Sequence, residues 1–442
     1  MSTMKQLYVR SGWHSIFNLT DQGAKARSSL LAATIVQGVV GGFSGGIFYT
    51  GLLVGYGINI VNISIITVVP YIASLFTLFA PYILERFPQR RVILSVTRVA
   101  YYTVNILGIT LLPQLIHSDT GRTWGLICIV FLANTINFLF SPGYSPWHMT
   151  YITPEVRNPY FTSTTLVSNV SSSLVLILAS IVTDKLEGQA QLDLIITFRY
   201  LAFAVAMLDV YFLQKPGEPV YKVTSARPSL LDIFRLPLSN KKFRRTMLIY
   251  GLYAALANLP NSVLNAWLLE DVHTGYFYIN VINSLYAVGI VATSHFWSRF
   301  SQKWGTFRTL AFAMLAHAPT CIAYGFVNAA NFMWLLTTIR LIQHALGMMV
   351  TFSVNNLIYI NLPKEDQTNY ISFYMIVGNL STFLGMMIGT WIVAGMGSQT
   401  LSIFRASISS VPSLELLQGI TYLFYAAFIL AIRKSVEPDQ IR

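Results

Sequence analysis

The sequence predicts an all-α membrane protein with twelve transmembrane helices in two six-helix bundles. Three observations carry that expectation. Of the 442 residues, 54% are hydrophobic and only 10% charged, whereas soluble domains carry roughly 25% charged residues. The apolar residues gather into runs close to the roughly 20 that a membrane-spanning helix requires. A polar, proline-broken stretch at 215–245 parts these runs into two equal sets.

The runs of the first set are 29–52, 60–84, 92–113, 124–145, 160–183 and 194–214. Those of the second are 246–268, 277–298, 309–327, 332–357, 370–395 and 415–433. The expected organisation is therefore a bundle over 1–214, a linker over 215–245 and a second bundle over 246–442. Gly38, Gly42 and Gly46 in the first run have the small-xxx-small spacing that lets helices approach closely. Residues 1–28 are polar and basic, and the run after them is longer than the apolar core of a signal peptide, so it reads as a retained spanning helix.

The linker holds eight Lys/Arg against Glu218 and Asp232, and Pro216, Pro219, Pro228 and Pro237 prevent it from forming one helix. Its segment 230–236 interleaves apolar and charged residues, which fits either a short helix lying on a membrane surface or a solvated basic loop. With the N-terminus inside, the outer loops hold only Arg122, Lys185 and Arg405, while most of the 29 Lys/Arg fall in the inner loops and tails. That asymmetry places both termini in the cytoplasm. The basic balance thus belongs to membrane orientation, and no nucleic-acid partner is expected. Cys128 and Cys321 both lie inside apolar runs, without zinc or redox spacing, and no phosphate-binding loop is present. No cofactor, metal or catalytic residue is expected.

The two halves repeat. Glu85-Arg86-Phe87-Pro88-Gln89-Arg90-Arg91 follows the second run, and Gln302-Lys303-Trp304-Gly305-Thr306-Phe307-Arg308 follows the eighth. Pro154-Glu155-Val156-Arg157 after the fourth run is matched by Pro363-Lys364-Glu365-Asp366 after the tenth. Two matched loops at nearly one offset point to a duplicated six-helix unit.

In these features the chain resembles the major facilitator superfamily of secondary transporters, over nearly its whole length. The family pattern Gly-x-x-x-Asp-Arg/Lys-x-Gly-Arg-Arg/Lys is met by Glu85, Arg86, Arg90 and Arg91, with Pro81 and Pro88 at the glycines. The second copy keeps Lys303, Gly305 and Arg308 but has Gln302 at the acid. The resemblance implies alternating access, a gating role for Glu85, Arg86, Arg90, Arg91, Lys303 and Gly305, and a cavity lined by helices 1, 4, 7 and 10. Arg340-Leu341-Ile342-Gln343 also fits an Arg-x-x-Gln core that some members carry in helix 4, with His344 at the Gly that would follow.

An ionisable group within a span costs about 2.5–3.5 kcal/mol on insertion scales and marks function by default. Arg199 and Arg340 are read as the two in-span cations. Arg199 lies near a span end and is expected to snorkel to the headgroups. Arg340, Gln343 and His344 share one helical face and are candidates for substrate binding or coupling. The alternative for Arg340 is structural, through carbonyls or through Asp209 or Asp193 of helix 6. Asn261 and Asn265 beside Pro260, Asn134 of helix 4 and Gln37 of helix 1 are further candidates, placed in the cavity by the resemblance. Trp267 reads as an interface residue.

Only Asp209 is expected within a span, and a buried cation without an acid would suit an anionic substrate. The expected function is secondary active or facilitative transport of a small organic solute, anionic on this reading, across the plasma membrane. The expected partners are that solute, membrane lipids and a coupling ion, and the expected state is a monomer. A proton-coupled sugar or multidrug transporter is the alternative within transport; an intramembrane enzyme or a lipid translocase is the alternative outside it. Gly42-Phe43-Ser44-Gly45-Gly46 matches the Gly-x-Ser-x-Gly string of hydrolases, but lies inside an apolar run rather than at a strand-to-helix elbow.

Overall fold

The computed structural model describes residues 13–19, 21–84, 90–218, 230–363, 365–403 and 406–436. Among the described residues the regular structure is helical, apart from a two-stranded antiparallel hairpin, β1 Leu401–Ile403 and β2 Ala406–Ile408. Its first helices are α1 Trp13–Ile16, α2 Gln22–Ser44, α3 Gly46–Gly55, α4 Ile60–Ala73, α5 Ala80–Leu84, α6 Arg90–Tyr102, α7 Ile109–Leu115, α8 Asp119–Phe140, α9 Tyr144–Met149, α10 Pro154–Thr183 and α11 Gly188–Gln214. Then follow α12 Leu230–Ser239, α13 Lys241–Ala257, α14 Leu264–Glu270, α15 Tyr276–Trp304, α16 Thr306–Tyr324, α17 Phe332–Leu357, α18 Gln367–Met396 and α19 Ser410–Ile432.

Nine helical segments among the described residues are long and apolar enough to cross a membrane. The predicted runs 246–268, 277–298 and 309–327 are also mainly helical, and all three help line one cavity.

The chain separates into two compact units, Met1–Tyr56 with Phe76–Arg227, and Gly57–Leu75 with Pro228–Arg442. In the first unit, α2 is capped by Asp21, whose carboxylate accepts from the Ala24 N–H at 2.9 Å. The expected glycine packing is present. A Cβ on Gly38 would stand 3.0 Å from the Ser168 carbonyl, and one on Gly42 would stand 2.8 Å from Val175 of α10. The first run is nevertheless not one helix. Gly45 is extended and Gly46 has φ +54°, so the chain breaks between α2 and α3 at residues that tolerate it.

Arg199 of α11 does not snorkel. It is 1% exposed, and its guanidinium donates to the Thr110 hydroxyl at 2.6 Å and to the carbonyls of Ser44 at 2.7 Å, Asn105 at 2.9 Å and Ile106 at 3.3 Å. Ser44 ends α2, and Asn105 and Ile106 lie in the π-helical turn Thr103–Gly108. The arginine thus donates to carbonyls at two helix breaks. A third in-span cation, Arg98 of α6, donates to Asp209 at 3.0 Å. Asp209 therefore serves Arg98 and not Arg340. Val40, Tyr102, Ile106 and Ala206 form the apolar packing around this pair.

The second unit is built around Phe307, Leu310, Met314, Ala318, Tyr425 and Ile429, where α16 meets α19. Within it α4 packs on α18, with the Ser64 and Thr390 hydroxyls hydrogen-bonded. The expected surface helix of the linker is α12. It lays Ile233 and Pro237 inward, with Tyr370 donating to the Leu236 carbonyl at 3.2 Å. Leu231, Phe234 and Leu238 remain exposed.

Candidate functional site

The second unit holds a cavity of about 370 Å³ lined by α13, α14, α15, α16, α17, α19 and the turn between α13 and α14. Pro260 shapes that turn. It has no N–H to give the Leu256 carbonyl four residues earlier, so the helix opens there. The Leu256 carbonyl instead accepts from the Gln418 side chain at 2.8 Å. Opening the helix brings Asn261 to the cavity wall, where its amide donates to the Asn258 side chain at 3.2 Å. The break is gripped from behind by α18. A Cβ on Gly385 would stand 2.1 Å from the Ala255 carbonyl, and one on Gly389 would stand 1.9 Å from that of Leu259.

Arg340, Gln343 and His344 reach the same cavity from α17. Arg340 donates to the Gln343 carboxamide at 3.2 Å, and its guanidinium lies over the Tyr324 ring at 5.2 Å. Gln343 in turn donates to Thr320 at 3.3 Å. The His344 Nε2 donates to the Ile282 carbonyl at 2.9 Å, and Tyr286 packs edge-on against its ring. A histidine held this way positions α15 against α17 while showing one edge to the cavity.

The residue that sequence reading missed is Glu415. It lies inside α19, is 4% exposed and lines the cavity that holds Arg340. The expectation of a buried cation without an acid is therefore corrected, and the inference to an anionic substrate that rested on it loses its premise. The predicted run began at 415, which put the carboxylate at a span end. The helix begins at Ser410, with Pro412 in its first turn. Ser409 followed by a proline three residues later is a helix-start signal that would have placed Glu415 inside the span.

Among the described residues no ion pair joins Arg340 to Glu415, and none donates a hydrogen bond to the Glu415 carboxylate. A buried carboxylate is ordinarily satisfied by protein donors. Here a carboxylate and a guanidinium face one space without touching. Gln418, Tyr253, Tyr286 and Tyr422 supply further hydrogen-bonding groups to the wall.

The other expected site residues lie elsewhere. Asn265, in α14, is not among the residues that line this cavity. Asn134 returns its amide to the Val130 carbonyl of its own helix at 2.8 Å. Gln37 belongs to the first unit and donates to Asp209 at 2.8 Å. Of the gating residues, Glu85 and Arg86 lie outside the described residues. Arg90 and Arg91 open α6, and the Arg91 N–H donates to the Glu218 carboxylate at 3.0 Å. Lys303 is in the last turn of α15, and Gly305 takes φ +78° to turn the chain into α16. Trp267, expected at an interface, is 3% exposed against Tyr324. No group of three or more metal-ligating side chains occurs among the described residues.

Residues 246–440 match the family model described as Major Facilitator Superfamily. A sequence comparison with curated proteins finds no match. Among solved structures, the nucleoside transporter NupG (D323A mutant) superposes with a TM-score of 0.71 at 12% identity, covering 92% of this chain and 99% of that one. A bacterial homologue of the iron transporter ferroportin in the inward-facing state gives 0.66 at 13% identity, with 92% and 98% covered. A D-xylose-proton symporter gives 0.61 at 13% identity, with 91% and 96% covered. At such identities the likeness concerns the fold.

Proposed function

We infer that this chain, a membrane transporter of the major facilitator superfamily, is a secondary transporter that couples passage of a small, polar, uncharged organic solute to protonation of Glu415. One observation carries the reading: a buried carboxylate that faces Arg340 across a cavity without pairing with it or accepting from any described residue. An ionised carboxylate in a span is costly and is the kind of group that relays protons in transporters. When Glu415 is ionised, Arg340 stabilises its charge across the cavity. When it is protonated, it can donate to a solute while Arg340, Gln343, Gln418 and Asn261 meet the solute's other polar groups. The hydroxyl and carboxamide groups of Tyr253, Tyr286, Gln343 and Gln418 on the wall suit a solute with hydroxyl or amide groups and no net charge. The tyrosines suit the faces of a ring, as in a sugar or nucleoside.

The reading extends to alternating access, in which only the solute-loaded, protonated carrier and the empty, deprotonated one exchange sides. It takes the protein as a lipid-embedded monomer of the plasma membrane, and the charge asymmetry supports both termini lying in the cytoplasm.

The test is uptake of a sugar and nucleoside panel into proteoliposomes with and without an imposed proton gradient. The gradient is expected to drive accumulation by the native protein. Glu415→Gln is expected to keep gradient-free exchange of the same solute and lose the driven accumulation. Accumulation unchanged in Glu415→Gln would reject the proton role. Exclusive transport of anions would reject the solute class.

A further inference from the structure

The first unit contains a polar cavity of its own, about 360 Å³, that the transport reading above does not use. Its walls come from α2, α6, α9, α10, α11 and the turn before α9. At one side lies Asp209, fully buried and saturated. Its carboxylate accepts from Gln37 at 2.8 Å, from Arg98 Nε at 3.0 Å and from the Tyr102 hydroxyl at 2.5 Å. Arg98 spends only Nε on this contact, and its two terminal nitrogens donate to no described residue. The His148 Nε2 is buried and likewise has no partner among the described residues. Among the described residues no hydrogen bond holds the Ser141 and Ser145 side chains, which also reach this space. None of the described lining residues is acidic.

The cavity therefore offers an excess of donors at one end, led by a planar guanidinium fork. Leu30, Met149, Ile152 and Leu213 supply an apolar remainder. A carboxylate matches the fork in shape and charge, and a short hydrocarbon or aromatic body matches the apolar walls. We propose that this cavity is a binding site for a small amphipathic monocarboxylate, held by Arg98 and His148 and separate from the Arg340–Glu415 cavity.

The test uses the full-length protein in detergent, with benzoate as the probe and benzyl alcohol and benzylamine as its uncharged and cationic counterparts. Trp147 stacks against Tyr144 at 6.1 Å and packs at 5.4 Å from His148, so its fluorescence reports on the site. Saturable quenching and thermal stabilisation are expected with benzoate alone, and Trp147→Phe is expected to remove the quenching and keep the stabilisation. His148→Phe, which keeps a ring of similar size, and Arg98→Lys, which keeps the charge beside Asp209, should each weaken benzoate binding about tenfold or more. Ser145→Val, at the more exposed rim, gives a third reading if either variant fails to fold, and it too should weaken binding. Glu415→Gln should leave benzoate binding unchanged, so failure here and failure of the transport reading are distinguishable. Equal binding of benzyl alcohol, absence of saturable benzoate binding, or native affinity in the folded variants would overturn the proposal.

Discussion

Five charged side chains within the helices of these bundles are handled in different ways, and each way predicts a different response to substitution. Arg199 has no acid beside it; backbone carbonyls and Thr110 hold its charge. Replacing it by leucine takes this donor from the Ser44 and Asn105 carbonyls, at about 1–3 kcal/mol each, while the Ile106 carbonyl still accepts from Thr110. Arg199→Leu should therefore lower the melting temperature sharply in a fluorescence melt, and Arg199→Lys, which reaches fewer acceptors, should fall between. Arg98 and Asp209 form a direct pair whose loss strands a buried charge, so Asp209→Ala should cost about 3–5 kcal/mol. The double substitution Arg98→Leu with Asp209→Leu should recover part of that loss. Arg340 and Glu415 are poised without contact. Substituting either should affect transport more than folding, which uptake and melting measured on the same preparation would separate.

At the scale of elements, helix breaks position the functional groups. Pro260 opens the chain between α13 and α14, Gln418 takes the carbonyl that the proline cannot serve, and Gly385 and Gly389 let α18 close over the break. A methyl at Gly389 would overlap the Leu259 carbonyl, so Gly389→Ala should destabilise the protein by about 1–3 kcal/mol, as overpacking does. Its thermal melt should shift down while Gly395→Ala, where nothing lies within 4 Å, should not. The sequence showed Pro260 and the α2 glycines plainly, because proline and glycine act locally. It did not show that the glycines of α2 serve two purposes: Gly38 and Gly42 pack against α10, while Gly46 ends a continuous helix. Both uses have the same residue pattern, and only the neighbouring helix distinguishes them. Exposed Leu231, Phe234 and Leu238 make α12 a candidate for contact with lipid headgroups. A tryptophan at Phe234 should be quenched by brominated lipid, and one at Arg235 should be quenched less.

At the scale of the whole molecule, the charge asymmetry makes a direct prediction about sidedness. In a Cys128→Ser background, an impermeant maleimide applied to intact cells should label Gln189→Cys and spare Ser239→Cys. Cys321 is buried and should stay silent. Labelling of the opposite pattern would invert the orientation. The division of contacts also departs from the chain's linear halves, since Gly57–Leu75 clusters with the C-terminal residues. A linker can be read from composition, whereas the helix with which an apolar segment packs cannot.

That contrast marks the boundary between the two levels of information. Hydrophobic run length, the proline-broken basic segment, the repeated loops and the Lys/Arg bias were enough to indicate an all-α membrane fold. Each is a property of composition or short-range spacing, and the membrane translates such properties directly into helices and orientation. The pairings that carry chemistry were decided by tertiary structure. Arg340 meets the cavity of Glu415, Arg98 takes Asp209, and Arg199 reaches Ser44 and Asn105, all across long stretches of sequence. In lipid, a helix face turned outward can be as apolar as one turned inward, so hydrophobic periodicity does not reveal which face is buried. The rotation of each helix, and with it the partner of each buried charge, is set by side-chain packing and hydrogen bonding between helices.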